Sequence, residues 1–438
     1  MNEKVKIEWT PFDLSGLAGS EKFHTGMFSW IFSGGCTGLR KGANYRILSK
    51  LTGQNINGEI VCIPESSPFD LLIRSNRFLI VVENKLSSAT RYGQIQRYTE
   101  LILSDVKEEP KREQKKSERR PYDKNLQDFK GDREAIGILL SLAGEKLTST
   151  EGREYSDDCT YQTCKGKMIW LAVSYYELLE MLSDEANNMD SILQAYLRSL
   201  EYLCILHNTF LENHTNYPCV FKNANLKKTV KNPPNSECKS YITRNNLETG
   251  FQIALLRKIL YQVMNKLNRD GISFQRTYVG ETKGTGNFGV SLMEIPKDKE
   301  FLGFCFKEDF YIGFQYQGDA LKVTFSRWEY DKSINKDFSD DENERNAFFE
   351  RFKEVCTDTE VLGYRNLNKP RSKAYVSVSL NMDPNTKRCK REGLPERLQD
   401  KLILRESRKE DFVSLIVEEC RLISEICKQV MKGEISKL

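Results

Sequence analysis

Residues 68–100 read PFDLLIRSNRFLIVVENKLSSATRYGQIQRYTE. Two apolar runs, Phe69–Ile73 and Phe78–Val82, flank Ser75–Asn76–Arg77, which suits a tight turn. The run FLIVV is β-branched and apolar on both faces, the pattern of a central strand. In a hairpin with so short a turn, the start of one strand lies beside the end of the next. Asp70 and Glu83, thirteen residues apart, are therefore expected at one edge of a sheet. Glu83 and Lys85 are two apart and point to one face. A helix is expected from about Tyr92 to Leu103.

Two carboxylates and an ammonium at one spot are costly unless a cation joins them. Asp70, Glu83 and the backbone carbonyl of Asn84 suit Mg²⁺, which keeps several waters and binds substrate phosphate. Such an ion activates a water and offsets charge on a phosphorane, while Lys85 can position or deprotonate that water. The bare spacing D-x(n)-E-x-K is common in charged chains, and a surface ion pair at a strand end is the competing reading. The strand–turn–strand–helix context carries the weight.

Working outward, Ile60–Ile63 reads as a preceding strand, and Ala135–Leu142 and Met168–Val173 as two later ones. Ser20 can cap a helix whose stripe is Phe23, Met27, Trp30 and Ile31; Tyr175–Leu182 and Ile192–Leu206 are further helices. The N-terminal half is thus mixed α/β. Two composition shifts divide the chain. The first is a charged stretch in which Lys107–Lys124 holds eight Lys/Arg against five Asp/Glu, read either as a solvated segment or as a basic arm touching phosphates. The second, Glu212–Asn246, contains Pro218, Pro233 and Pro234 and resembles a linker. The expected layout is a domain over 1–210 with an insertion at 104–134, a linker at 211–246 and an α+β domain over 247–438.

The whole chain has 438 residues, 39% hydrophobic and 29% charged, which excludes a disordered, collagen-like or membrane-embedded chain. The start MNEKVKIEWT lacks an apolar h-region, so no secretory signal is expected. Net charge is +4, which permits nucleic-acid binding without arguing for it. Twelve scattered cysteines read as reduced thiols in a cytoplasmic protein. Cys159 and Cys164 lack a second pair at zinc spacing.

Taken together, these residues resemble the PD-(D/E)XK nuclease superfamily, in particular bacterial members with an E-x-x-H helix, an Asp-bearing strand, an E-N-K strand end and a helix carrying Gly-Gln-x-x-x-Tyr. The matching positions are Glu21 and His24, Asp70, Glu83–Asn84–Lys85, and Gly93–Gln94 with Tyr98; Pro68 stands two residues before Asp70, one position displaced from the family pattern. The resemblance covers about residues 18–210 and implies a restriction-endonuclease-like mixed sheet flanked by helices. It implies that Asp70 and Glu83 hold the metal, that Lys85 acts on the attacking water or the transition state, that Glu21 helps bind metal or order a water, and that Gln94 orients phosphate or water. His24 and Arg91 are the candidates for contacting nucleic acid. Competing readings are a dipole-favoured helix start for Glu21 and a hydrogen-bonded, interfacial histidine for His24. Tyr98 reads as core packing, and Glu59 is a weak further acid.

The C-terminal half carries no such motif. A long helix near Phe251–Leu267, an aromatic meander over Phe301–Phe306, Phe310–Tyr316 and Leu321–Trp328, a helix at Ala347–Val355, a strand at Tyr375–Leu380 and a closing helix near Phe412–Val430 are expected. Gly280–Gly289 is glycine-rich but lacks the order of a phosphate-binding loop, which favours a hairpin. Basic clusters stand at Lys369, Arg371 and Lys373 and at Lys387, Arg388, Lys390 and Arg391.

The expectation is a Mg²⁺-dependent endonuclease, with Mn²⁺ able to substitute, acting on DNA, with a place in bacterial defence as an implication of the resemblance. The alternatives are a silent nucleic-acid-binding fold, or an effector gated through the C-terminal domain by a ligand or protein partner. Cutting both strands often uses paired sites, which makes a homodimer an expectation too.

Overall fold

In the computed structural model, the described residues are 9–103, 129–221, 236–326, 377–381 and 404–431, with short breaks inside these ranges, and isolated positions between 347 and 354. Arg91, the charged stretch Lys107–Lys124, most of the Ala347–Val355 helix and both C-terminal basic clusters fall outside them. Two compact units are formed, Met1–Glu212 with Pro234–Phe251, and Asn213–Pro233 with Gln252–Leu438.

The first unit opens with α1 (Pro11–Leu14), α2 (Glu21–Phe32) and α3 (Ala43–Thr52). Strands β1 (Val61–Pro64), β2 (Leu71–Arg74) and β3 (Phe78–Lys85) follow, then α4 (Gln94–Leu103) and β4 (Glu134–Ser141). A short ladder of β5 (Leu147–Thr148) and β6 (Tyr155–Ser156) precedes β7 (Asp158–Thr163) and β8 (Gly166–Ser174). Helices α5 (Tyr175–Glu185), α6 (Ser191–Glu212) and α7 (Ser236–Arg244) complete it. Six strands form a mixed sheet in the order β1-β2-β3-β4-β8-β7. The β1–β2–β3 meander is antiparallel, β3, β4 and β8 run parallel, and β7 returns antiparallel at the far edge.

The order follows from the residues. β3 is buried over Phe78–Asn84, as its two-sided apolar run requires, and takes a central position. On one face, Leu79 and Val81 pack with Ile95, Tyr98 and Ile102 of α4 and with Trp170 of β8. Trp170 is fully buried, and its Nε1 donates to Thr99 Oγ1 at 2.9 Å, which pins α4 across the sheet. Each large apolar side chain buried here contributes roughly 1.5–3 kcal/mol relative to exposure. The opposite face receives α2 and α3.

α2 differs from the expected stripe. Ser20 Oγ caps it by accepting the Phe23 N–H, but the buried face runs through His24, Met27, Phe28 and Ile31, while Phe23 and Trp30 are half-buried. His24 therefore lies on the core face rather than beside it.

The expected linker at 211–246 also differs. It contains 3-10 turns at His214–Asn216 and Pro218–Val220, and helix α7. Tyr241 and Ile242 of α7 are fully buried, and the Tyr241 hydroxyl donates to Asp13 Oδ1 at 3.0 Å. Polar composition concealed two apolar anchors.

In the second unit, the described elements are α8 (Glu248–Arg269, whose first residues count with the first unit), β9 (Arg276–Thr282), β10 (Thr285–Ile295), β11 (Glu300–Phe301), β12 (Phe304–Cys305), β13 (Phe310–Gln317), β14 (Ala320–Ser326), β15 (Ser377–Asn381) and α9 (Lys409–Met431). A five-stranded antiparallel sheet has the order β15-β14-β13-β10-β9, with α9 against β10 and β13. Gly280–Gly289 straddles the β9–β10 hairpin. Among the described residues, Glu300–Phe301 and Phe304–Cys305 pair as the two-residue β11–β12 ladder, a correction to the expected three-stranded meander; β10 takes the place beside β13 instead. Its glycines had hidden it. Gly289, for one, lies under the Tyr278 ring, where a Cβ would not fit.

Candidate active site

The β2–β3 register sets the site. Leu71 pairs with Val82, so Asp70, one residue earlier, reaches the end of β3. Its Oδ2 accepts the Asn84 N–H at 2.7 Å. In an extended strand a residue's N–H and C=O leave on the same side, so the Asn84 carbonyl shares the edge that carries Asp70.

Glu83 is only 2% exposed. Its Oε1 takes the Lys85 ammonium at 2.5 Å and the Gln94 Nε2 donor at 2.5 Å. Its Oε2 is buried with no hydrogen-bond partner among the described residues. Burial pushes the Glu83 carboxyl up to about 7, with Lys85 opposing and Asp70 adding to the rise. Burial also raises Asp70, despite the Asn84 N–H and Lys85. For Lys85, burial works against the charge, but Glu83 at contact distance, with Glu21 and Asp70, overrides it and holds the ammonium well above its ordinary value.

Helix α4 braces both acids. Tyr98 Oη donates to the Pro68 carbonyl at 2.9 Å and accepts from Gln94 Nε2 at 2.8 Å. One helix face thus holds the turn before Asp70 and the carboxylate of Glu83. Tyr98 packs on Phe69 as expected, but its hydroxyl is also part of the frame.

Glu21 reaches the strand exit. Its Oε1 accepts the Leu86 N–H at 2.9 Å and the Ser88 hydroxyl at 3.0 Å, and its backbone carbonyl accepts Asn84 Nδ2 at 3.0 Å. The Asn84 side chain, on the face opposite Glu83 and Lys85, also accepts the Tyr175 hydroxyl at 2.6 Å. Tyr175 carried no motif, and the E-N-K match marked Asn84 without assigning a role to its side chain; an asparagine inside an apolar strand was the further signal.

His24 is not a nucleic-acid contact. It is 1% exposed, with Nδ1 on Tyr196 Oη and Nε2 on the Ala18 carbonyl, both at 2.9 Å. Its stripe buries it, and burial lowers its pKa to about 4. Glu59 is exposed and precedes β1, away from any strand that would aim it.

The donor set fits a hard divalent cation. Two buried or half-buried carboxylates face one ammonium, and one buried carboxylate oxygen lacks a hydrogen bond. Among the described residues no group of three or more His, Cys, Asp or Glu side chains converges as a metal site. Two carboxylates and a backbone carbonyl, completed by waters, suit such an ion.

Residues 35–195 match the family model of the PD-(D/E)XK nuclease superfamily. No curated protein and no solved structure matches the chain significantly. The matched segment contains Asp70, Glu83, Lys85 and Gln94; Glu21 and His24 precede it. A match to this superfamily suggests a nuclease acting on nucleic acid, and such nucleases typically use divalent metal ions. Among the described residues no helix is long and apolar enough to cross a membrane.

Proposed function

We propose that the first unit is a Mg²⁺-dependent endonuclease acting on DNA. The observation that carries this reading is Glu83: a buried carboxylate beside Asp70, with one oxygen on Lys85 and Gln94 and the other without a hydrogen bond. Asp70, Glu83 and the Asn84 carbonyl would hold the ion. When bound, that ion lowers the pKa of a water and offsets charge on the pentavalent phosphorus.

Lys85 acts as a cation. Its Nζ, paired with Glu83 Oε1, is placed to position the attacking water or to stabilise charge on the phosphate. Gln94 fixes the Glu83 carboxylate, and Tyr98 fixes Gln94. Glu21 holds the chain leaving β3, so the loop beyond Lys85 keeps its place.

Purified protein incubated with supercoiled plasmid and Mg²⁺ or Mn²⁺, beside an EDTA control, single-stranded RNA and a Glu83→Gln variant, tests this. Metal-dependent nicking or linearisation that the variant loses is the expected result. Cutting of RNA alone would move the substrate assignment. Tight DNA binding without turnover in either metal would favour a silent or gated effector. Sedimentation with and without DNA tests the homodimer, and phage plating on cells carrying wild-type or Glu83→Gln protein tests a defence role.

A further inference from the structure

We propose that Tyr175 is a positioning residue for the metal-holding strand end, acting through the Asn84 side chain; this rests on the metal-dependent reading above. Asparagine is a poor strand residue, and one buried at 0% exposure costs free energy unless its amide is paired. Here it is paired on both sides. Oδ1 accepts the Tyr175 hydroxyl at 2.6 Å, and Nδ2 donates to the Glu21 carbonyl at 3.0 Å and lies 3.5 Å from Thr25 Oγ1.

The backbone of the same residue faces the chemistry. Its N–H binds Asp70, its carbonyl is the third donor proposed for the ion, and its chain neighbours are Glu83 and Lys85. Holding the side chain from the far face of the sheet restrains the peptide planes on either side of Asn84. That restrains the carbonyl direction and the spacing of Asp70 from Glu83.

Tyr175 is itself built to stay still. It is fully buried at the start of α5, directly after β8, and its ring packs edge-on against His24 and near Phe28. Its hydroxyl donates to Asn84 Oδ1, which makes the Asn84 side chain its hydrogen-bonded link to the strand end. Tyr196 is the internal control: it too is fully buried and spends its hydroxyl on a hydrogen bond, but to His24 Nδ1.

The test is Mn²⁺ affinity of the full chain, by calorimetry or Mn²⁺ paramagnetic resonance without nucleic acid, in wild type, Tyr175→Phe, Tyr196→Phe and Asp70→Asn. Circular dichroism in EDTA checks folding. Loss of an outer hydrogen bond to a metal ligand typically costs about 10–100-fold in affinity. Tyr175→Phe is expected to weaken Mn²⁺ about tenfold while remaining folded, and Tyr196→Phe less than about twofold, since its hydroxyl lies outside that chain of bonds. Should Tyr175→Phe not fold, Asn84→Ala reads the same link from its other end and is expected to weaken Mn²⁺ at least as much. Unchanged affinity in Tyr175→Phe, or in Asn84→Ala where that variant stands in, overturns the proposal alone. Equal weakening in Tyr196→Phe also overturns it, because the effect would then be general loosening. Wild type that binds no Mn²⁺, or binding indifferent to Asp70→Asn, overturns the metal reading and this inference with it.

Discussion

Asp70 and Asn84 are joined by a carboxylate-to-backbone hydrogen bond of 2.7 Å, which ties the start of β2 to the end of β3. This single contact gathers the site, because Asn84 sits between Glu83 and Lys85. Asp70→Asn alters both the charge and this acceptor. It is expected to lower the cleavage rate roughly 10³-fold, about 4 kcal/mol of barrier at 1.36 kcal/mol per tenfold. Single-turnover plasmid cleavage checks it; a loss under tenfold would remove Asp70 from the catalytic set.

Lys85 and Glu83 form a buried pair at 2.5 Å, with side chains 12% and 2% exposed. Removing one partner of such a pair typically costs roughly 3–5 kcal/mol, because the other charge is left uncompensated. Lys85→Met is therefore expected to destabilise the protein strongly in EDTA. Lys85→Met/Glu83→Gln is expected to recover much of that loss, since both charges of the pair are removed together. Urea unfolding of both variants and of Glu83→Gln provides the cycle, and strict additivity would contradict it.

A divalent cation that binds the folded site stabilises the protein by mass action. At a free concentration about 100 times Kd, the gain is about 2.7 kcal/mol. Melting temperature is expected to rise with Mn²⁺, to return with EDTA, and to stay flat in Glu83→Gln. A similar rise in that variant would place the ion elsewhere.

His24 carries a pH signature. Its folded pKa is lowered from 6.5 to about 4 by burial, only partly offset by the Ala18 carbonyl and Glu21. Neutral His24 thus contributes stability that is fully present above pH 6.5 and is lost as pH falls towards 4. The total is on the order of 3 kcal/mol at 1.36 kcal/mol per unit. Urea midpoints at pH 8, 6 and 5 are expected to fall more steeply in wild type than in His24→Gln. Parallel curves would rule out a titrating role for this ring.

Gly137 of β4 lies under the Trp170 ring, and a Cβ there would overlap the indole. Gly137→Ala is expected to cost roughly 1–3 kcal/mol by overpacking. Because Trp170 also holds Thr99 on α4, the variant is expected to loosen the helix that carries Gln94. Thermal unfolding reads the first effect and hydrogen exchange across residues 94–103 the second; exchange unchanged in a destabilised variant would separate the two.

The hairpin was legible in the sequence because its information is local. Apolar runs on both sides of a short turn determine the register, and register alone brings Asp70 to Glu83 and puts Glu83 and Lys85 on one face. The succession of strand, turn, strand and helix follows from the same short-range patterning, as do the strands at 134–141 and 166–174. Where glycines interrupt the pattern, as in β10, or a few apolar anchors sit in polar sequence, as in α7, the signal is lost.

What only the tertiary structure decided is which polar groups meet across long chain separations. That His24 ends in the core follows from the way α2 rotates onto the sheet and against Tyr196, 172 positions away. That Glu21 grips the exit of β3 and that Tyr175 holds Asn84, 91 positions away, depend on how helices from both ends of the unit pack on one sheet face. Local sequence specifies the direction of each side chain. The partner waiting there is chosen by burial, which forces each hydrogen-bonding group into reach of another or, at Glu83 Oε2, leaves it without a hydrogen bond among the described residues.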